Sequence, residues 1–276
     1  MPAANERALE KAKSLPADAI IFDLEDAVAP DAKASARTAA CAAASSGEYG
    51  RRELTIRCNG LDTPWGSADL AAIARSTAAA VVVPKVSSVA YLDEVSALLD
   101  DAGAPGSMSV WAMVETPTAI LDARAIAAHP RVSVLVMGTN DLARELRAPL
   151  AAGRTALLPH LATALLAARE AGKTILDGVY NDVKNLDGFC DECAQGVELG
   201  FDGKTLIHPA QVEIANRAWA PSDADVDQAR RIIAAFDEAV ADGRGVVTVD
   251  GRMIENLHVA NAQRTLAIAE AIAALD

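Results

Sequence analysis

Residues 132–141 read VSVLVMGTND: a run of six, apolar but for Ser133, then glycine, then three polar residues. A continuous apolar run this short, without strict alternation, is the pattern of a strand covered on both faces. The same form recurs at 19–26 (AIIFDLED), 53–59 (ELTIRCN), 80–86 (AVVVPKV), 109–116 (SVWAMVET), 173–180 (KTILDGVY) and 203–209 (GKTLIHP). Between these runs lie longer segments rich in Ala, Leu, Glu and Arg, which predict helices over 92–99, 117–128, 157–171 and 186–199. Strands alternating with helices make a parallel sheet sheathed by helices, and at this length a (β/α)8, or TIM, barrel. Seven runs are one short of eight. The chain opens with MPAANER straight into a helical pattern, so the expectation is a barrel lacking its first strand. The alternative is a sheet of seven strands. After Ala220, Pro221-Ser222-Asp223 opens a helix over 224–242, followed by the turn Gly243-Arg244-Gly245, a short apolar run at 246–249 and a last helix over 257–274. The expected organisation is a barrel over 1–220 and a C-terminal helical extension over 221–276.

Composition limits the function classes. Of 276 residues, 51% are hydrophobic and only 4% aromatic, and Ala dominates, which favours helices over an all-β fold. The net charge of −13 argues against nucleic-acid and anionic-membrane binding. It leaves room for an anionic ligand where a metal or a local cluster of cations reverses the field. No signal peptide or spanning segment is legible, so a cytoplasmic location is expected. Of the four cysteines only Cys190 and Cys193 are closely spaced, and a lone CxxC lacks the second ligand pair of a zinc site. Reduced, incidental thiols are the reading, with Cys58 and Cys193 as packing residues.

Polar residues gather where the runs end: Glu25 and Asp26, Arg57 and Asn59, Lys85, Glu115, Asn140 and Asp141, Asp177 and Tyr180, Lys204 and His208. In a parallel barrel all these ends meet on one rim, which carries the active site. Carboxylates ending four strands repel one another unless a cation holds them. Glu115 and Asp141 close consecutive strands and can bind one Mg²⁺, leaving other positions for water and a bidentate substrate. Glu25 and Asp26 either accept hydrogen bonds from the waters of that metal or cap the following helix. Arg57 can grip a carboxylate or stabilise an enolate oxygen, and can also pair with Glu25 or Asp26. Lys85 could form a Schiff base, but so many acidic neighbours should raise its pKa, which favours a neutralising role. His129, before Pro130, reads as a helix cap. His208 is open between packing and ligand contact.

Several segments together resemble the HpcH/HpaI aldolase–citrate lyase β-subunit family: IFDLEDAV at 21–28, Arg57-Cys58-Asn59, Thr63-Pro64-Trp65-Gly66, Pro84-Lys85, MVETP at 113–117, GTNDL at 138–142, DGVYN at 177–181, GFDGKTLIHPAQ at 200–211 and DGRMI at 250–254. The resemblance runs nearly the whole length of the chain. It implies a TIM barrel, Mg²⁺, a coenzyme A (CoA) thioester as substrate, and a homo-oligomer, trimer or hexamer, whose C-terminal extension covers a neighbouring subunit's site. By the same resemblance Glu115 and Asp141 match the metal ligands and Arg57 the catalytic arginine. Gly138, Thr139 and Asn140 are placed against the substrate. Arg7 and Lys11, one helical turn apart, are placed against CoA phosphates, as are His208 and Gln211 against the coenzyme. The leading expectation is C–C cleavage of a malyl-, citramalyl- or citryl-type thioester. Where many lyases of the family carry Asp after Met-Ile, this chain has Glu255, and Glu255-Asn256-Leu257-His258 resembles the branch described as malyl-CoA thioesterases. Thioester hydrolysis on the same site is therefore the second expectation, with Glu255 as the acid or base. A non-catalytic CoA-binding or carrier-complex subunit is the third.

Overall fold

All seven runs form strands in the computed structural model, which describes every residue except Arg244 and Asp276. They are β1 (Ala19–Asp23), β2 (Glu53–Arg57), β3 (Ala80–Val83), β4 (Ser109–Val114), β5 (Val132–Met137), β6 (Thr174–Asp177) and β7 (Gly203–Lys204). They lie side by side in chain order, each parallel to the next. Each strand stops before most of the polar residues that follow it, so those residues sit on the loops above the sheet. The chain divides into two compact units, Met1–Ala218 and Trp219–Asp276.

In the first unit the strands are linked by α1 (Glu6–Ala12), α2 (Lys33–Ala44), α3 (Gly66–Ile73), α4 (Val89–Asp101), α5 (Pro117–Leu121), α6 (Ala123–Ala128), α7 (Thr139–Leu146), α8 (Leu158–Glu170) and α9 (Leu186–Leu199), with α10 (Val212–Trp219) after β7. Caps mark the starts. Asn5, Ser88, Thr116 and Asn185 each accept a backbone N–H from the first turn of the helix they precede. The single helix expected over 117–128 is two, parted at Asp122, which leaves helical geometry.

Ala80, Val82, Trp111, Met113, Val134 and Val136 pack together, with Ala19, Ile21 and Leu176 against them. These residues alternate along their strands and so share one face of the sheet. Side chains from β1 to β6 gathered against one cluster imply a curled sheet, with that face as the interior of a barrel wall.

This alternation corrects one expectation. Leu176 faces the interior, so Asp177 next to it faces the helices. Asp177 and Lys204 are register partners on β6 and β7, and neither belongs to the rim cluster. The Asp177 carboxylate takes both hydrogen bonds of Arg154 Nη1, at 2.7 and 2.9 Å, and one from Lys204 Nζ at 2.8 Å. Lys204 also reaches Glu192 on α9 at 2.7 Å. Near-continuous apolar strands carry no periodicity from which to read this inside-outside distinction.

The chain start also differs from the helical entry expected. Asp23 N–H donates to Met1 O at 2.8 Å and Ala3 N–H to Asp23 O at 3.0 Å, so the first three residues lie parallel along β1 before Asn5 opens α1. Among the described residues seven strands make the sheet, as the count of apolar runs implied.

The second unit holds α11 (Asp223–Ala241), β8 (Val247–Val249), β9 (Arg252–Ile254) and α12 (Asn256–Ala273). The expected short run is one arm of an antiparallel hairpin. Its turn is Asp250-Gly251, both at positive φ (50° and 77°), the pair that a two-residue hairpin turn favours. Phe236, Val249 and Ile254 form its small core. The Gly-rich turn expected before β8 includes Arg244, which lies outside the described residues. No helix among the described residues is long and apolar enough to cross a membrane.

The Arg154–Asp177–Lys204 network gives a stability test. Asp177→Ala strands two buried cations, with Glu192 left as partial compensation, and should cost about 3 kcal/mol, the lower end for a broken buried pair. Urea denaturation of the variant against wild type measures it.

Candidate active site

The register of β1 and β2 sets Asp23 directly opposite Arg57. Both side chains belong to the interior face, and the guanidinium closes on the carboxylate through Nε (2.6 Å) and Nη2 (2.7 Å). The same carboxylate accepts the backbone N–H groups of Glu25 (2.9 Å) and Ala27 (3.1 Å), which shapes the turn after β1. Burial alone would raise the Asp23 pKa. Arg57 and the two N–H groups bring it below the ordinary carboxylate value. Asp23 was not among the expected site residues. Its signal is the two-residue spacing to Glu25, which puts both acids on one face of an extended chain.

Arg57 Nη1 remains, and it points to Glu25 and Met113. It lies 2.8 Å from Glu25 Oε2, an ion pair whose angles make no hydrogen bond, and 3.8 Å from Met113 Sδ. Burial opposes the charge on Arg57, but Asp23, Glu25 and Asp26 more than offset it and push its pKa further up. Glu25 is shared, since its Oε1 accepts from Lys85 Nζ at 2.7 Å. Burial raises the Glu25 pKa despite Arg57 and Lys85. Asp26 is exposed, with its carboxylate 3.9 Å from Arg57. Neither Glu25 nor Asp26 caps a helix, because the next helical turn begins only at Pro30.

Lys85 sits at φ +48°, in the left-handed region. That conformation sends its backbone N–H to Glu115 Oε1 (2.7 Å) while its side chain reaches Glu25. Burial works against the ammonium, yet Glu25, Glu115 and Asp141 raise its pKa, as the sequence led us to expect. An ammonium held this way is not a free nucleophile.

Glu115 is 1% exposed. Burial is the main reason its pKa rises to about 7. The Lys85 N–H works against this, and Glu25 and Asp141 add to it. Its room comes from Gly138, where a Cβ would stand 2.2 Å from Glu115 Oε2. Asp141, in the first turn of α7, has Oδ1 2.7 Å from Arg144 Nη1. A buried carboxylate with two further carboxylates near it fits a hard cation, and the donors are all oxygens. Among the described residues no cluster of three or more His, Cys, Asp or Glu side chains is poised to hold a metal. Two carboxylates such as Glu115 and Asp141 are the number of protein groups that Mg²⁺ commonly takes beside water and substrate.

Thr139 is buried, and Asn140 exchanges two amide hydrogen bonds with Asn181 (3.1 and 2.7 Å). His208 is exposed, with Nδ1 capping Ala210 N–H. Gln211 is 0% exposed. Its Oε1 accepts from Ile207 and His208, and its Nε2 donates to Tyr180 O, so it braces the loop and offers the coenzyme nothing. The Gln211 expectation is corrected on that ground. Arg7 and Lys11 are exposed on α1, and neither is in an ion pair among the described residues. Glu10 pairs instead with Lys13. Glu255 is exposed in the second unit, at the N-cap of α12, where its N–H donates to His258 Nδ1.

Compared with known proteins, residues 1–209 match the family described as HpcH/HpaI aldolase/citrate lyase. The chain belongs to that family. Residues 152–273 also match the C–C bond lyases of the TIM-barrel fold. A (3S)-malyl-CoA thioesterase of Cereibacter sphaeroides is 53% identical over 274 residues, covering 99% of this chain and 94% of the relative. The citrate lyase subunit beta of Escherichia coli K12 is 37% identical, covering 98% and 91%. Among solved structures, the protein CitE from Mycobacterium tuberculosis in complex with magnesium, acetoacetate and coenzyme A superimposes with a TM-score of 0.80 at 29% identity, over 98% of this chain and 96% of that one. The curled parallel sheet with its surrounding helices is thus the TIM-barrel architecture of the HpcH/HpaI family.

Glu115 gives a pH-dependent test of its cation site. Its folded pKa of about 7 lies above the ordinary 4.5. The metal-free protein therefore holds this proton more tightly than the unfolded chain, and its stability falls as pH rises through that interval. A divalent cation needs the carboxylate form and offsets the loss. Mg²⁺ should raise Tm more above pH 7 than below pH 5, measured by thermal melts with and without the ion. Gly138→Ala should abolish the shift, because its Cβ displaces Glu115.

Proposed function

We propose that this protein is a Mg²⁺-dependent enzyme acting on a malyl-type CoA thioester. The observation that carries the reading is the cluster in which Arg57 and Lys85 share Glu25 while Glu115 lies buried beneath them. Glu115 and Asp141 would hold the metal, and Mg²⁺ there supplies Lewis-acid polarisation of the hydroxyl and carboxylate oxygens of the acyl group. Everything else is done by the chain. Asp23 holds two of the three guanidinium nitrogens and thereby fixes the third, Nη1, beside Glu25 and Met113. There it can stabilise negative charge on a thioester oxygen. Glu25 would accept hydrogen bonds from water beside the divalent cation. Gly138 and Thr139 line the substrate, and Asn140 closes over it with Asn181. Arg7 and Lys11 meet the CoA phosphates as unpaired cations. His208 is the remaining candidate for coenzyme contact.

Two reactions fit this site. C–C cleavage converts malyl-CoA to glyoxylate and acetyl-CoA, with a proton delivered to the enolate carbon. Hydrolysis adds water across the thioester and releases malate and free CoA. The 53% identity to a malyl-CoA thioesterase and the Glu255 tail favour hydrolysis. Incubation of the Mg²⁺-loaded protein with (S)-malyl-CoA, with glyoxylate and malate assayed separately, tests both. Formation of neither product overturns the reading. Glu115→Ala and Asp141→Ala should each abolish turnover in a folded protein.

We also propose a cytoplasmic homo-oligomer, trimer or hexamer, in which the segment after Pro221 serves a neighbouring copy. Glu255 is its acid or base. Glu255→Asp should move products toward glyoxylate and acetyl-CoA, since the shorter carboxyl suits direct protonation of carbon. Glu255→Gln should suppress turnover with Tm nearly unchanged. A lowered Tm with unchanged kcat would leave Glu255 as a helix cap only.

A further inference from the structure

Lys33 opens α2 and is 6% exposed. A lysine is rarely so buried without a carboxylate partner. Among the described residues Lys33 makes no ion pair. Its ammonium donates to two backbone carbonyls, Leu24 O at 2.8 Å and Glu25 O at 2.7 Å. The remaining side of Nζ lies 5.3 Å from the centre of the Trp65 ring. Three donors and one charge are thus occupied by two carbonyls and an aromatic face.

Those two carbonyls are where β1 ends. Leu24 still donates its N–H to Arg57 O, but beyond it the ladder stops and the carbonyls need other partners. Asn59 Nδ2 supplies a second donor to Leu24 O at 3.0 Å, and Asp69 holds that amide from behind at 2.6 Å. The Asp23 carboxylate binds N–H groups of this turn, and Lys33 binds its carbonyls. The turn is clamped from both sides, and the side chain it presents is Glu25. Glu25 contacts both Arg57 and Lys85. A shift of the Leu24–Glu25 peptide moves it out of reach of one of them.

We propose that Lys33 is a positioning residue for the reaction: by fixing the Leu24 and Glu25 carbonyls it sets the Glu25 carboxylate between Arg57 and Lys85. No part of Lys33 touches substrate. Its charge stays on the helix side of the turn and acts through the peptide.

Lys33→Met keeps the apolar stem against Trp65 and removes the donors. On malyl-CoA, kcat should fall about tenfold to a hundredfold, the usual result of a misplaced catalytic group. KM should change less than about threefold, because the α1 cations that meet CoA are untouched. The decisive readout is coupling. In a Glu25→Gln background the same substitution should cost little, since the group it positions is already disabled. An equal loss of kcat in both backgrounds, or an unchanged kcat in folded Lys33→Met, overturns the proposal. The kinetic arm rests on the proposed malyl-CoA reaction, so a crystal structure of Lys33→Met is the second arm. Loss of either the Arg57 or the Lys85 contact of Glu25 supports the proposal, and retention of both overturns it, whatever the wild type does with malyl-CoA. If Lys33→Met does not fold, Lys33→Gln is read by the same two arms, since a neutral amide one bond shorter keeps a polar group there but loses the charge-assisted grip on both carbonyls.

Discussion

The ion pair between Asp23 and Arg57 organises the catalytic end of this barrel. It is a cross-strand pair fixed by register, so it forms as soon as β1 and β2 align. Its two hydrogen bonds leave Arg57 a single nitrogen for Glu25, with a defined direction, and its other two acceptor positions fold the chain after β1 into the turn that carries Glu25. Replacing Asp23 would therefore release both the cation and the turn. A bidentate guanidinium–carboxylate contact suits this task because it fixes orientation as well as distance.

From that pair the charges propagate across the rim in alternation. Arg57 meets Glu25, Glu25 meets Lys85, and the Lys85 backbone meets Glu115. Each step neutralises its predecessor, and the chain of contacts ends on Glu115, which has one N–H and no cation in hydrogen-bonding contact. Burial is the main reason its pKa is raised, and the neighbouring carboxylates of Glu25 and Asp141 add to it. Arg144 screens Asp141 from the solvent side, where it is well hydrated and easily displaced. The cluster thus balances internally except at the position where a divalent ion would complete it.

The fold was largely legible because seven apolar runs with polar ends leave little alternative to a parallel sheet sheathed by helices. Glu25, Arg57, Lys85 and Glu115 were legible for the same reason: each stands where an apolar run gives out. Asp177 satisfies that rule equally and yet faces the helices, since only alternation separates the interior from the exterior and a strand apolar on both faces does not display it. Asp23 was hidden by lying inside its apolar run. Lys33 was hidden more deeply, because a lysine in the first turn of an Ala-rich helix reads as a solvated charge until the fold places Leu24 and Glu25 against it. The β8–β9 hairpin was not expected from the short run at 246–249, although Asp250-Gly251 is the two-residue turn signal that marks it.

The charge of −13 and an anionic coenzyme are reconciled by how the cations are distributed. Arg57, Lys85, Arg154 and Lys204 are all committed to carboxylates, and Lys33 to carbonyls and an indole. A cation already paired offers a phosphate little, since binding must first break the existing contact. Arg7 and Lys11 are different. Lys13 takes Glu10 and Glu48, leaving the two cations one turn apart on α1 without acidic partners among the described residues. On an acidic surface two unpaired, solvated cations on one helical face form a local reversal of field, and the Debye length keeps the distant negative charge from cancelling it. Net charge therefore says little about which anions this protein meets; the unpaired cations say more, and they lie on the helix that leads into β1.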